Sequence, residues 1–484
     1  MTLPFSLSKD NQRILKPILE SSRLGNIQLY IVGGFLRDII LGREKINPDI
    51  DFTVEKNAIA FAAALAKRLK AGFVVLDKAN GCARVVKKVK DKAYTLDFTD
   101  FRGRDLLQDL GKRDFSINTL AVELKAFLET PEYKLIDPYN GLKDLKSGII
   151  RVLSPGAFDD DPLRILRSFS LSCTLNFKIQ PLTMRLIDKK RSKLKDGSFE
   201  RVRDELFKIL ASSRGYEFLS LLDRHKILEL IIPEIKVMHR LNQGPFHHLD
   251  VWQHTLETVK QIERIIRNSG RSRDIKAYLN EEISSGRRRY ELLKLTALGH
   301  DIGKPKTLRI EDGKIKFHGH EHVGAYMAEK IAQRIKLSNP EIFILKKIIL
   351  FHLRPGYMSD IPALSMRAKF RFFRDAGEEA ASVLLISLAD QRATKGALTT
   401  AESRQRHERL VRRLLNEYFR KKKEKKTARL INGNDLIKRF KLEPSPLIGK
   451  ILSEVEEAQA IGKLKTKKEA LKIAEMIIRE VRKK

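Results

Sequence analysis

At 484 residues, with 42% apolar and 32% charged residues, the chain is too long for one ordinary domain and too apolar to be disordered as a whole, so about three or four compact units are expected. Its formal charge of +34 and pI near 10.0 create a field that draws polyanions, making nucleic acid the first partner to consider beside the plainer reading of a lysine-rich, solvated surface. The two cysteines, Cys82 and Cys173, exclude a disulfide framework and a thiolate zinc site; no apolar run is long enough to span a bilayer, Met1–Asp10 lacks the order of a signal peptide, and a cytoplasmic protein is expected.

In chain order, the apolar stretch from Ile27 to Val32 predicts a strand ending in the Gly33-Gly34 turn, and Phe35–Leu41 a short helix. Asp51–Val54, Phe73–Leu76, Arg84–Val89 and Tyr94–Phe98 read as strands, with an alanine-rich helix over Ala58–Lys70, so the first domain is mixed α/β. After about Val152 strand signals become rare, and apolar residues recur at helical spacing from Asp161 to Ile232. Gly244-Pro245 marks a boundary, Asn268–Arg289 reads as an inserted loop or loop-helix, and a further boundary near Thr394–Thr400 precedes the basic run Arg420–Lys426. There is no internal repeat.

The first chemistry lies at the start of the second strand, in Asp49-Ile50-Asp51. Alternate strand residues share a face, so both carboxylates project together while Ile50 packs inward. Such a pair can hold the Mg²⁺ ions that clamp a nucleotide's phosphates and activate an attacking hydroxyl. Asp97, in Thr95-Leu96-Asp97, could reach the same centre from another strand. Gly33 and Gly34 would offer backbone N–H groups to a triphosphate. Asp161 and Arg164, three apart, are expected on one helix face, where they offer an acceptor and a fork of donors to a base edge, the bland alternative being a helix ion pair.

The order of five motifs sharpens this. Gly33-Gly34-Phe-Leu-Arg37-Asp38 followed by Asp49-Ile-Asp51, then Lys112-Arg113-Asp114-Phe-Ser-Ile-Asn118, Ile136-Asp137-Pro138 through Leu145, Asp160-Asp161-Pro-Leu-Arg164-Ile-Leu-Arg167, and Ser198-Phe-Glu200-Arg201 resemble the class II tRNA nucleotidyltransferase and bacterial poly(A) polymerase family. The resemblance covers about Asn26 to Glu234. It implies a polymerase-β-like α/β head (1–150) followed by an all-α neck (151–238), an HD-type body (239–398) and a basic helical tail (399–484). It implies Asp49, Asp51 and Asp97 as catalytic carboxylates, and Gly33, Gly34, Arg37, Arg113, Asp114, Asn118, Asp161, Arg164 and Arg167 as nucleotide-binding, with Asp161 and Arg164 reading the base. Lys112, Asp160 and Ser170 depart from the family pattern, which often has arginine, glutamate and arginine there.

In the second half, His254, His300-Asp301 in His-Asp-Ile-Gly-Lys-Pro, and Asp390 resemble an HD-superfamily site for a divalent transition metal, implying phosphohydrolase or phosphodiesterase activity. His320 and His352 could add ligands, although a lone histidine is more often structural. The tail from Leu430 to Ala460 resembles the terminal helices of HD-containing relatives and is expected to dock RNA. The implied function is addition of CMP and AMP from CTP and ATP to the tRNA 3′ end, with no obligate protein partner evident. The alternatives are an enzyme adding only CC or only A, a poly(A) polymerase, or an HD phosphohydrolase with an RNA-binding head. Only Gly103–Gln108 separates Phe101-Arg102 from Asp109-Leu110, where the resemblance leads one to expect a longer mobile loop in members that add all three nucleotides.

Overall fold

The computed structural model describes residues 7–43, 47–90, 92–130, 133–424 and 428–482. The N-terminal reading and the end of the basic run therefore lie partly outside the described residues. The fold divides into two compact units, one of residues 1–209 and 225–230 and one of residues 210–224 and 231–484.

The first unit is built on a six-stranded mixed sheet. Its strands are β1 (Tyr30–Val32), β2 (Asp49–Val54), β3 (Gly72–Asp77), β4 (Cys82–Val89), β5 (Lys92–Asp100) and β6 (Ala121–Glu123), in the order β3-β4-β5-β2-β1-β6. Only β2 and β5 run parallel among these pairings, and the predicted alanine-rich helix, Ala58–Leu69, supplies the crossover that a parallel pair requires. That helix starts where the Asp100 carboxylate accepts from the Ala58 N–H at 2.7 Å, and it buries Phe61, Ala62 and Leu65. Phe61 meets Phe98 edge-on, and Phe98 stacks on Phe52 at 4.8 Å. Each fully buried ring contributes about 1.5–3 kcal/mol, so β2 and β5 are anchored by their inward residues. Their outward residues are left to chemistry. β1 begins at Tyr30, later than the apolar run suggested.

Beyond the sheet the chain is mostly helical as expected, with a two-residue parallel pairing of Ile149–Ile150 with Lys178–Ile179 and short hairpins, among them Arg309–Glu311 with Lys314–Lys316. In the second unit, helices Val251–Asn268, Arg289–Gly299, His320–Arg334, Asn339–Phe351 and Ala380–Ala393 pack together. Asn268–Arg289, expected as a loop or loop-helix, forms a short helix, Arg273–Leu279, and a hairpin of Glu282–Ser284 with Arg287–Arg288. The tail helices Gly433–Phe440, Pro446–Ala460 and Lys467–Arg482 enclose a small core of their own around Leu436, Ile451 and Ala470. Among the described residues no helix is long and apolar enough to cross a membrane.

Candidate polymerising site and HD-type metal centre

On β2 the expected alternation holds: Asp49 is exposed, Ile50 fully buried and Asp51 half-buried. The parallel register puts Asp51 opposite Asp97 on β5, while Val32 faces Asp51 from β1. Three carboxylates thus share one face of the sheet. Burial pushes the Asp51 carboxyl above its ordinary range; Arg113 opposes that push, and Asp97 and Asp49 add to it. Clustered carboxylate oxygens are hard donors of the kind that hold a divalent cation. Gly33 explains its own identity here. Its φ of +76° suits glycine, and a Cβ would lie 2.9 Å from the Asp51 carboxylate.

Asp97 is not free. Arg84, its cross-strand partner on β4, donates to both of its oxygens at 2.8 and 2.7 Å. Nothing in the sequence pattern singled out Arg84.

Four of the predicted nucleotide-binding residues, Arg37, Asn118, Asp114 and Arg167, are linked in one network. Arg37 is buried, donating from Nε and Nη2 to Asp38 and from Nη1 to the Asn118 side-chain oxygen. Asn118 in turn donates to Asp114 at 2.9 Å, and Arg167 pairs with Asp114 at 2.7 Å. Although burial works the other way, Arg167 and the Asn118 amide hold the Asp114 carboxyl below its ordinary range. Arg113 leans on the buried Asp109 and lies near Gly33. Arg37, expected to face the phosphates, therefore braces the floor of the site in this state.

The expected shared helix face of Asp161 and Arg164 is corrected. Asp161 has extended backbone at the break between helices Ala157–Asp160 and Leu163–Leu175, because Pro162 opens the second helix just after it. Its carboxylate accepts two bonds from Arg201, at 3.2 and 2.7 Å. Arg164 is buried and donates to the Lys112 carbonyl at 2.8 Å and the Ala157 carbonyl at 3.3 Å. Ser170 donates to Glu205, which also lies 3.8 Å from Arg167. Sequence reasoning quoted Arg201 within a motif without giving it a role, and it missed Glu205.

The second centre has a different make-up. His254 comes from the helix Val251–Asn268, His300 and Asp301 follow the helix Arg289–Gly299, and Asp390 lies on Ala380–Ala393. The structure brings all four together: His254 Nε2 lies 2.9 Å from Asp390 and 3.6 Å from Asp301, and His300 Nε2 lies 3.2 Å from Asp301. His320 and His352, given the bland reading above, also point into this centre, 3.3 and 3.9 Å from Asp301. Gly303 permits the approach, since a Cβ there would meet the His320 carbonyl and the Gly324 N–H.

Four buried imidazoles around two carboxylates match a borderline metal ion. Nδ1 of His300 is 2.8 Å from the Ala297 carbonyl, which turns Nε2 inward, where it has no hydrogen-bond partner among the described residues. Burial, deepened by His320 and His300, presses His352 down to about 3, so it is neutral and able to ligate. Burial opposes charging His300 too, but Asp301 and Asp390 outweigh it and raise its pKa. Lys304 sits 2.7 Å from Asp301 and donates to Gln243 at 2.6 Å, placing a fixed cation at the centre's edge.

Comparisons with known proteins agree with both kinds of domain. A family model for the poly A polymerase head domain matches residues 29–151, one described as "Probable RNA and SrmB-binding site of polymerase A" matches 176–238, the HD domain matches 251–395, and tRNA nucleotidyltransferase domain 2 matches 383–474. The head and HD models both imply use of a divalent metal. A CC-adding tRNA nucleotidyltransferase of Synechocystis is 30% identical over 93% of this chain and 93% of its own length. An A-adding tRNA nucleotidyltransferase of Deinococcus radiodurans is 29% identical over 91% of this chain and 93% of its own. The solved structure of a Thermotoga maritima CCA-adding enzyme complexed with tRNA superimposes with a TM-score of 0.61 at 21% identity, covering 98% of this chain and 96% of that one, which shows a shared fold. With family models along the chain, a motif order and a relative matched over 93% of this chain in agreement, the chain is a nucleotidyltransferase enzyme that belongs to the tRNA nucleotidyltransferase family.

Proposed function

We propose that the chain adds CMP and AMP, from CTP and ATP, to the 3′ end of tRNA without a nucleic-acid template, in the cytoplasm. The observation that carries this reading is the register of β2 against β5, which sets Asp51 beside Asp97 with Asp49 two residues away on the same face. Asp49 and Asp51 hold Mg²⁺, with Asp97 available as a third carboxylate. Bound there, the metal supplies charge neutralisation for the triphosphate and acidifies the attacking 3′-hydroxyl. Arg113 and Arg167 face the phosphates, Gly33 lets the backbone come close, and the Arg37–Asn118–Asp114 network holds those groups in place. Base choice falls to Asp161 and Arg164. Arg201 holds the Asp161 carboxylate in place until a base edge replaces it. The head, neck, body and tail divide at the boundaries given above, the tail docking RNA through its basic surface.

In the HD-type body, His254, His300, Asp301 and Asp390 hold a divalent transition metal, which would supply a hydroxide for phosphate-ester hydrolysis. Incubating the pure protein with tRNA lacking its end, and offering CTP and ATP singly and together, tests the main reading. Two cytidines followed by one adenosine are expected. An adenosine tract on unrelated RNA overturns it in favour of poly(A) synthesis.

One observation favours a narrower second reading, CC addition alone. The short segment after β5 is pinned at both ends: the Arg102 N–H donates to Asp109 at 3.2 Å, the Arg104 N–H to Gln108 at 3.1 Å, and Asp105 caps the helix Leu106–Gly111. A segment so held has little freedom to reshape a pocket from C to A. A product stopping at CC with both nucleotides present supports this reading, and addition of the terminal A by the protein alone rejects it.

A further inference from the structure

The HD-type body holds a buried serine–histidine pair for which the chemistry proposed above has no use. Ser387 lies on the helix Ala380–Ala393, one turn before Asp390, and His407 on the next helix, Ala401–Lys423. Ser387 Oγ is 3.0 Å from His407 Nε2, and both residues are buried. Both line a cleft of about 260 Å³ whose wall also includes Asp301, His352 and Asp390. The pair therefore borders the same space as the candidate metal centre.

Which atom of the pair donates follows from its surroundings. Burial lowers the His407 pKa from its ordinary value, so the ring is neutral and carries one proton. His407 Nδ1 is buried without a hydrogen-bond partner among the described residues. A proton there would be an orphaned donor, whereas a proton on Nε2 leaves only a lone pair unmatched; orphaned buried N–H groups are the rarer defect in folded proteins. Nε2–H thus donates to Ser387 Oγ, and the serine keeps its own proton to give. In a helix such a proton commonly returns to the carbonyl four residues earlier, as those of Thr255, Thr258 and Thr296 do in this body at 2.8, 2.9 and 2.8 Å. Ser387 makes no such bond among the described residues, where His407 is its hydrogen-bond partner.

We propose that the Ser387 hydroxyl, held by His407, donates a hydrogen bond to a phosphate oxygen of the ester bound in the HD-type cleft. The inference rests on the phosphate-ester reading of that body and adds two residues to it: Ser387 touches the substrate, and His407 is a positioning residue that acts through Ser387. Lys304, on the same wall, supplies charge; a serine held from behind supplies direction, which decides how the phosphate is turned rather than whether it is drawn in. A nucleophilic serine would need the opposite tautomer, with a bare Nε2 to take its proton.

The full chain, with Co²⁺ in the HD-type centre and excess Mg²⁺ for the head, is titrated with inorganic phosphate while the visible absorption of the imidazole-bound cobalt is followed. Ser387→Ala should weaken phosphate binding by about tenfold or more, the worth of one hydrogen bond to a charged group, at unchanged cobalt content. His407→Ala should weaken it by about three- to tenfold, and His407→Gln, which returns an N–H near the place of Nε2, should recover most of that loss. Ser387→Ala combined with His407→Ala should bind phosphate no more weakly than Ser387→Ala alone, since His407 then has nothing to act through. Unchanged phosphate affinity in Ser387→Ala overturns the contact, and losses that multiply in the combined variant overturn the route from His407 through Ser387. Cobalt bands that do not respond to phosphate in the unsubstituted chain overturn the phosphate-ester reading of the cleft, and a chain that takes up no cobalt there overturns the metal reading beneath it.

Discussion

On the proposed reading, the two sites solve the same problem, holding a cation near a phosphate, with opposite means. The head uses carboxylates that stay partly open to solvent and are shared with arginines: Asp97 with Arg84, Asp114 with Arg167, Asp161 with Arg201. The HD-type centre uses buried imidazoles, three of them locked through Nδ1 by a carbonyl three residues earlier. A polymerising site must release product and accept a new nucleotide at every step, so its groups need partners they can leave cheaply. Arg201–Asp161 is the most exposed of the three, and an exposed pair is worth about 1 kcal/mol or less. A centre that keeps its metal gains from rigidity instead.

The comparison breaks most sharply at Asp49 and Asp51. Replacing either with Ala should lower nucleotide addition by about 10³-fold or more, because no other carboxylate projects from the same face of β2. RNA affinity, spread over the basic surface, should change by no more than about threefold. Single-nucleotide incorporation and filter binding measure the two separately, and addition near the wild-type rate would refute the carboxylate assignment.

The mirror experiment removes the other centre. His300→Ala with Asp301→Ala should abolish bound transition metal and lower phosphatase or cyclic phosphodiesterase activity by about 10²-fold or more, while tRNA addition stays within about threefold. Metal content by elemental analysis decides it, and equal content in wild type and variant rejects the centre.

How much of this was legible in the sequence follows from the range of the forces involved. The Asp49-Ile50-Asp51 alternation is local and could be read directly, as could the helix over Ala58–Lys70 and the His300-Asp301 pair. The sheet order and the β2–β5 register were not available, since pairing across more than forty residues leaves no local trace. Arg84 owes its role to a different register, that of β4 on β5, which sets it opposite Asp97. His320 and His352 were each discounted as lone histidines, because isolated residues carry no spacing signal; only the packing of three helices brings them to Asp301. The Asp161–Arg164 face failed for a local reason in plain view: Pro162 starts a new helix and turns Asp161 out of it.

That correction sharpens a third prediction. Asp161→Ala or Arg164→Ala should raise incorporation of UTP or GTP by about 10- to 100-fold relative to CTP, the worth of one hydrogen-bonded base contact. Triphosphate affinity should fall less, since Arg113 and Arg167 remain. Arg201→Ala should act more weakly, because it frees the Asp161 carboxylate without removing it. Competition assays with mixed nucleotides read the effect, and unchanged preference in both primary variants would place base reading elsewhere.

The smallest effect tests whether the head's ion pairs are made to be exchanged. Arg84 is 42% exposed in its side chain and Asp97 19%, so their pair is worth about 1 kcal/mol or less despite its two short bonds. When Asp97 turns toward the ion of Asp49 and Asp51, it must first give up Arg84. Removing Arg84 with Arg84→Ala takes away that competitor and one nearby positive charge. The Mg²⁺ concentration for half-maximal addition should then fall by about two- to fivefold, the ratio that ~0.4–1 kcal/mol provides. Arg84→Lys should lie between, since a lysine keeps the charge but loses the fork that engages both oxygens. Asp97→Asn should raise the Mg²⁺ requirement and reverse the benefit of Arg84→Ala when the two are combined. If Asp97 serves only to hold Arg84 across the sheet, neither substitution moves the Mg²⁺ curve, and the head holds its ions with Asp49 and Asp51 alone.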